Sequence, residues 1–162
     1  MIFTEHEYLG VVCEAIKKAQ TRILVCVYEW SWYQGQRAGT AQDINRAVAA
    51  APQRGVSVRA ILHHEAMKAH LSRINRHTAT KLERYGVDVR MGNTMRIIHA
   101  KFWVFDFTTA IVCTHNISNR AVKSNVEVGV LISSPEDVAA LHTYFSKLWD
   151  TLTPGGRGTI GG

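Results

Sequence analysis

Two short β-rich apolar runs with a helical stretch between them set the tightest limit on what this chain can fold into. Arg22-Ile23-Leu24-Val25-Cys26-Val27-Tyr28 and Val56-Ser57-Val58-Arg59-Ala60-Ile61-Leu62 both read as strands, and the first is apolar at nearly every position. A strand without a polar face is buried on both sides, as in a sheet covered by helices. Between the two runs, Ile44, Ala47, Val48 and Ala51 recur at helical spacing, so Asp43 to Gln53 reads as a helix that Arg54-Gly55 ends.

The rest of the chain extends the pattern. Residues 4–20 carry Leu9, Val12, Cys13, Ile16 and Ala19 on one helical face, with acids early and Lys17-Lys18 late, which complements the helix dipole. His63 to Tyr85 reads as a basic helix with Gly86 as its stop. Strands follow at Val87–Met91, Ile97–Asp106, Thr109–Thr114 and Val126–Ile132, with a turn at Gly92-Asn93-Thr94. Pro135 opens a last helix with Val138, Leu141, Phe145 and Leu148 on its inner stripe. The expected fold is α/β (α+β), a mixed β-sheet flanked by helices on both faces. Its 162 residues suit one domain, placed at 1–152, with 153–162 as a flexible tail or linker.

A hydrophobic content of 46% excludes a disordered chain, and no apolar run nears the length needed to span a bilayer. No stable membrane insertion and no secretory signal are expected. Nineteen Lys and Arg against thirteen Asp and Glu leave a net charge of +6, which favours a polyanionic partner such as nucleic acid or an anionic membrane surface. Cys13, Cys26 and Cys113 sit singly in apolar segments and read as free thiols, so a reducing cytoplasmic location is expected.

The segment that carries chemistry is His99-Ala100-Lys101-Phe102-Trp103-Val104-Phe105-Asp106. Strand periodicity puts His99 and Lys101 on one face and Ile98, Ala100, Phe102 and Val104 on the other. A hairpin-like return brings Asn116 back beside His99, and Glu127 opens the next strand. These groups suit phosphodiester chemistry without a metal. An imidazole can attack phosphorus, a lysine and an amide can hold the nonbridging oxygens, and a carboxylate can fix the imidazole tautomer.

His99-x-Lys101-x4-Asp106, six further residues and then Cys113-Thr114-His115-Asn116 resemble the phospholipase D superfamily, as does Asn125-x-Glu127 downstream. The single motif and short chain look most like the superfamily's small bacterial endonucleases. The departure is Cys113-Thr114, where the family carries Gly-Ser. The resemblance implies that His99 is nucleophile or general acid, that Lys101 and Asn116 bind phosphate with Thr114 as a further contact, and that Glu127 orients His99. Asp106 completes the motif with an expected structural role. No cofactor is implied.

The superfamily reaction uses two such histidines. Of the eight in this chain, only His99 has a lysine two residues on, so a homodimer sharing one site is expected. The spacing of His63-His64-Glu65 and His70 does not match a metal-binding helix motif, and no metal site is expected. Arg73, Arg76 and Lys81 on the basic helix are candidate contacts to a nucleic-acid backbone, and Trp30 and Trp32 are candidates to stack on bases. The function expected is a metal-independent phosphodiesterase, a nonspecific endonuclease on DNA or RNA acting through a phosphohistidine. The alternatives are a phospholipase or phosphatidyl transferase on lipid headgroups, and a nucleic-acid-binding module with a degenerate site.

Overall fold

The computed structural model describes residues 1–35, 39–65, 67–92 and 96–154. Thr4 ends a short strand, β1 (Ile2–Thr4), and caps helix α1 (Glu5–Lys18), where its N–H donates to the Glu7 carboxylate at 2.9 Å. The apolar run becomes β2 (Arg22–Val27), followed by α2 (Ala41–Ala50), capped by Thr40 and Asp43. Pro52 then opens a separate 3-10 turn, Pro52–Arg54, which is why α2 stops short of the expected Gln53. β3 (Ser57–His63), α3 (Ala69–Arg84) and β4 (Asp88–Gly92) follow. The remaining elements are β5 (Phe102–Phe105), β6 (Thr109–Cys113), α4 (Asn119–Lys123), β7 (Val128–Ile132), α5 (Pro135–Asp150) and β8 (Thr153–Pro154).

The strands form one mixed sheet in the order β1-β7-β6-β5-β2-β3-β4-β8. β2, β3 and β4 run parallel, and the other pairings are antiparallel. Alternate residues of β2 enter two different cores. Ile23, Val25 and Val27 pack with Val12 and Ile16 of α1, Ile44 and Val48 of α2, and Leu82 of α3. Leu24 and Cys26 pack on the other face with Phe102, Val104 and the α5 residues Val138, Phe145 and Trp149. Helices therefore cover both faces, and burial of each large apolar side chain contributes about 1.5–3 kcal/mol of transfer free energy.

Several boundaries differ from expectation, each for a local reason. The helix expected from His63 begins only at Ala69, because His63 is the last residue of β3 and its ring is buried. The strand expected from Ile97 begins at Phe102. Before it, backbone groups turn to side chains: Ile98 N–H points to His63 Nδ1 at 3.4 Å, and the His99 carbonyl accepts from Lys101 Nζ at 2.8 Å. β1 and α4 are too short to carry a periodic signal in the sequence. Thr153 and Pro154, expected in the tail, pair with Met91 and Arg90 of β4. The rest of that expected tail, the expected turn residues 93 and 94, and residues 36–38 of the expected loop lie outside the described residues.

Candidate active site

The candidate residues gather at one end of the sheet, beyond the C-terminal ends of the parallel strands β2 and β3, where antiparallel β5 joins them. Loops leaving such strand ends are a common place for ligand sites. His99 and Lys101 arrive on the lead into β5, Thr114 and Asn116 leave β6, and Glu127 precedes β7. Gly92 makes this approach possible, because a Cβ there would sit 2.2 Å from the Ile98 side chain.

His99 is exposed and Lys101, beneath it, is 9% exposed. The Lys101 ammonium lies 3.1 and 3.2 Å from the two His99 ring nitrogens. Partial burial, then the charges of Lys101 and Lys68, hold the His99 imidazole below the usual histidine range. The neutral form, which is the nucleophilic one, is thereby favoured. Burial likewise pulls Lys101 below the usual lysine range, and Glu127 opposes that shift. Asn116 Oδ1 accepts from the Glu29 N–H at 3.1 Å, which leaves its NH2 as the group able to donate to an anion.

Glu127 does not meet His99 within the chain. Its carboxylate accepts from the Thr114 hydroxyl and, at 3.0 Å, from the Asn125 amide. Thr114 Oγ1 also accepts from the Val128 N–H at 3.1 Å, so this hydroxyl is engaged in holding the β6–β7 junction. Cys113 fits in place of a glycine because its cross-strand partner is Gly129, where a Cβ would lie 2.9 Å from the Cys113 Cβ and 2.2 Å from the Phe3 ring. Burial pushes the Cys113 thiol up to about 12.

Asp106 sits at the opposite end of β5 from Lys101 and holds neighbouring backbone in place. It accepts from the N–H groups of Gln20, Thr21 and Arg22 at 2.7, 2.8 and 2.8 Å and from the Thr21 hydroxyl at 2.9 Å. Desolvation opposes the charged form, but these donors together outweigh it and hold the carboxyl below its usual range. Asp106 and Phe107 take φ of 50° and 65°, and Thr108 N–H closes onto the Phe105 carbonyl at 3.0 Å, the pattern of a tight hairpin turn.

A cavity of about 820 Å³ opens beside Asn116 and is lined by Trp32, Tyr33, His70, Arg73, His77 and Arg120, among others. Arg73 is thus a groove residue. Lys81 lines an adjoining recess with Trp32 and Tyr85, and Arg76 is exposed on α3 outside both linings. Trp30 cannot stack on a base: it is buried, with Nε1 donating to Asn45 Oδ1 at 2.6 Å. Arg120 has no signal in the sequence, because α4 is a single short turn with no basic run.

His70 and His77 line the groove, whereas His63 and His115 are tied up or enclosed. His63 contacts Ile98 N–H and, through Nε2, Glu65 Oε2 at 3.3 Å. His115 is fully buried against Tyr8, ring centroids 4.0 Å apart, and both its nitrogens lack a hydrogen-bond partner. Among the described residues, no three His, Cys, Asp or Glu side chains converge to hold a metal, and no helix is long and apolar enough to cross a membrane.

Comparison with known proteins places this arrangement. Residues 12–149 match the family described as "Cardiolipin synthase, PLD-like domain". The mouse mitochondrial cardiolipin hydrolase is 25% identical over 146 residues, which is 90% of this chain and 60% of that protein. The chain thus spans three-fifths or less of the first curated relatives it matches. Two solved structures share the fold over 95% of this chain and 97% of theirs. They are Nuc from Salmonella typhimurium, a phospholipase D family member (TM-score 0.78, 22% identity), and NucT from Helicobacter pylori (TM-score 0.79, 19% identity). With the family matched over most of its length, the chain belongs to the PLD-like domain family, within the phospholipase D superfamily of phosphodiesterases.

Proposed function

We propose that the protein is a metal-independent endonuclease, with a site completed by a second copy of the chain. The observation that carries this reading is an exposed His99 packed against buried Lys101, at the same end of the sheet as a groove that bears Asn116, Arg73 and Arg120. His99 attacks phosphorus and forms a P–N bond as the P–O bond to the leaving strand breaks. His99 of the partner subunit, in its protonated form, gives that oxygen its proton. The same imidazole then takes a proton from water, which attacks the phosphohistidine and frees a 5′-phosphate end. Lys101 and Asn116 balance charge on the nonbridging oxygens.

Displacement at phosphorus needs an attacking group and a proton donor on opposite sides. Within one chain only His99 belongs to a His-x-Lys pair; His63 and His115 are occupied or enclosed, and His70 and His77 line the groove on α3. Exposed apolar side chains next to the site suit the second copy. Ile2, Val112 and Val128 project from one face of β1, β6 and β7, and Val126, beside Glu127, is 95% exposed. Three free thiols, with Cys26 fully buried, fit work in a reducing cytoplasm.

A second reading is hydrolysis of a lipid phosphodiester, favoured by the family description and by relatives named cardiolipin hydrolase. Incubation with labelled single-stranded DNA, RNA and cardiolipin vesicles, in excess EDTA, separates the two. Nucleic-acid cleavage with untouched lipid supports the nuclease. Turnover of cardiolipin alone overturns it, and loss of all activity in EDTA overturns the metal-free mechanism. Sedimentation of an active monomer overturns the shared site.

A further inference from the structure

Tyr28 follows the last residue of β2 and lies at the centre of the site, although no motif includes it. Its ring centroid is 4.8 Å from that of His99, tilted by 56°, and 5.1 Å from that of His63, nearly parallel at 20°. Two ammonium groups lie over the same ring: Lys101 Nζ at 5.5 Å and Lys68 Nζ at 5.7 Å from the centroid. Lys68 Nζ also donates to the Tyr28 hydroxyl at 3.4 Å.

Behind this ring, His63 is fixed from two sides. Its Nδ1 faces the Ile98 N–H at 3.4 Å and so acts as acceptor, which leaves Nε2–H to donate to Glu65 at 3.3 Å. One buried imidazole therefore anchors both the backbone residue before His99 and the ring that His99 rests against. His99 itself donates no hydrogen bond to a carboxylate among the described residues, so its orientation within the protomer comes from Lys101 on one side and Tyr28 on the other.

We propose that Tyr28, backed by His63, is a positioning residue for His99: its ring sets the imidazole's attack angle and gathers the two ammonium groups beside it. Two properties of an aromatic ring suit it to this task. It is stiff, with few rotamers, and its face attracts cations that would otherwise swing into water. The charged and titratable groups facing His99 are Lys101 from the lead into β5, Lys68 from the segment before α3, and His63 from β3 with Glu65 beside it. Without the ring, His99 gains water and both ammonium groups gain freedom. The imidazole then moves up toward the ordinary histidine range.

This rests on His99 as the nucleophile, and the test keeps the two claims apart. Tyr28→Leu and Tyr28→Phe are compared with wild type, using bis(p-nitrophenyl) phosphate as a probe that needs no nucleic-acid groove. Tyr28→Leu should lower kcat by about tenfold to a hundredfold, the scale of a misplaced reacting group. KM should stay within about threefold, because phosphate binding remains with Lys101 and Asn116. The acid limb of the kcat/KM profile, which reports the free base, should move to higher pH. Tyr28→Phe, which restores the ring without the hydroxyl, should recover both kcat and the limb.

The His99 ring protons, followed by NMR across the same pH range, read the titration without any turnover. An upward shift in Tyr28→Leu, absent in Tyr28→Phe, supports the proposal. An unchanged His99 titration in folded Tyr28→Leu overturns it. So does a Tyr28→Phe variant as impaired as Tyr28→Leu, since the hydroxyl would then matter and not the ring. If wild type fails to turn over the probe, the functional reading falls, and the NMR titration still decides this one.

Discussion

Replacing Asp106 with asparagine separates what the phospholipase D motif needs for chemistry from what it needs for folding. The substitution keeps the side chain's shape and the tolerance for positive φ at the hairpin turn. It removes the charge and one of the two acceptor oxygens. In the protein, Oδ1 accepts from Thr21 N–H, the Thr21 hydroxyl and Arg22 N–H, and Oδ2 accepts from Gln20 N–H at 2.7 Å. An asparagine can hold the first set with its carbonyl, but its NH2 then faces the Gln20 N–H, donor against donor. One charge-assisted bond is lost and the others weaken to neutral ones. With about 1.5–3 kcal/mol for a bond to a charged group against 0.5–1.5 for a neutral one, and with water replacing part of the loss, the cost is about 2 kcal/mol. For a chain of this size that is a fall of about 4–8 °C in Tm. The pH dependence gives a second reading. Because the folded carboxyl is held below its usual range, its contribution is present above the unfolded value near 3.9 and is lost as pH falls through the folded value. Thermal melts of wild type and Asp106→Asn should therefore differ at pH 7 and converge in acid, while kcat per folded molecule stays near wild type. A Tm difference below about 1 °C at pH 7 would refute the accounting. A variant of full stability with kcat reduced a thousandfold would return Asp106 to the chemistry.

Other expectations follow from the same geometry. His99→Ala should lower cleavage by about three orders of magnitude or more in a gel assay, since a symmetric dimer loses attacker and acid together. Replacing Arg73 and Arg120 with alanine should flatten the slope of log affinity against log salt by about one unit for each phosphate left without its arginine, whereas Arg76→Ala, outside the groove, should not. Gly129→Ala places a methyl 2.2 Å from the Phe3 ring, so a lower Tm is expected from displacement of β1. An unchanged melt would mean that Phe3 moves aside freely.

The parts of the fold that are legible in the sequence are those in which side-chain period and local capping agree. β2 and β3 show as apolar runs, and α1, α2 and α5 show as stripes whose buried residues include Val12, Ile16, Ile44, Val48, Val138 and Phe145. What sequence cannot give is governed by partners far along the chain. The residues ahead of β5 look like a continuous strand, yet His63 and Lys101 take over backbone groups there, and no local pattern announces that. Glu127 lies where the motif puts it, but its bond to Thr114 depends on how β6 and β7 meet. Trp30 continues an aromatic series in sequence and still ends in the core, because Asn45 offers its indole a buried acceptor. Asp106 is bound to the start of the neighbouring strand β2, as a residue at the far end of the motif from His99 can be.

The pairing of β2 with β5 also fixes an order of events during synthesis. A chain made from its N-terminus completes β2, α2, β3, α3 and β4 before β5 exists, and those parallel strands can assemble among themselves. Until Phe102–Phe105 arrives, one whole margin of β2 stands bare: Ile23, Leu24, Val25 and Cys26 have no neighbour on that side. A naked apolar margin is where newly made chains clump together. The segment that leads into the sealing strand carries His99 and Lys101, so sealing brings these two residues to the site ahead of Asn116 and Glu127. The nascent protein is most prone to clump while it is still inert. Changes that delay docking of Trp103 or Val104 should therefore show as poor recovery of soluble protein, with normal turnover in every molecule that completes the step.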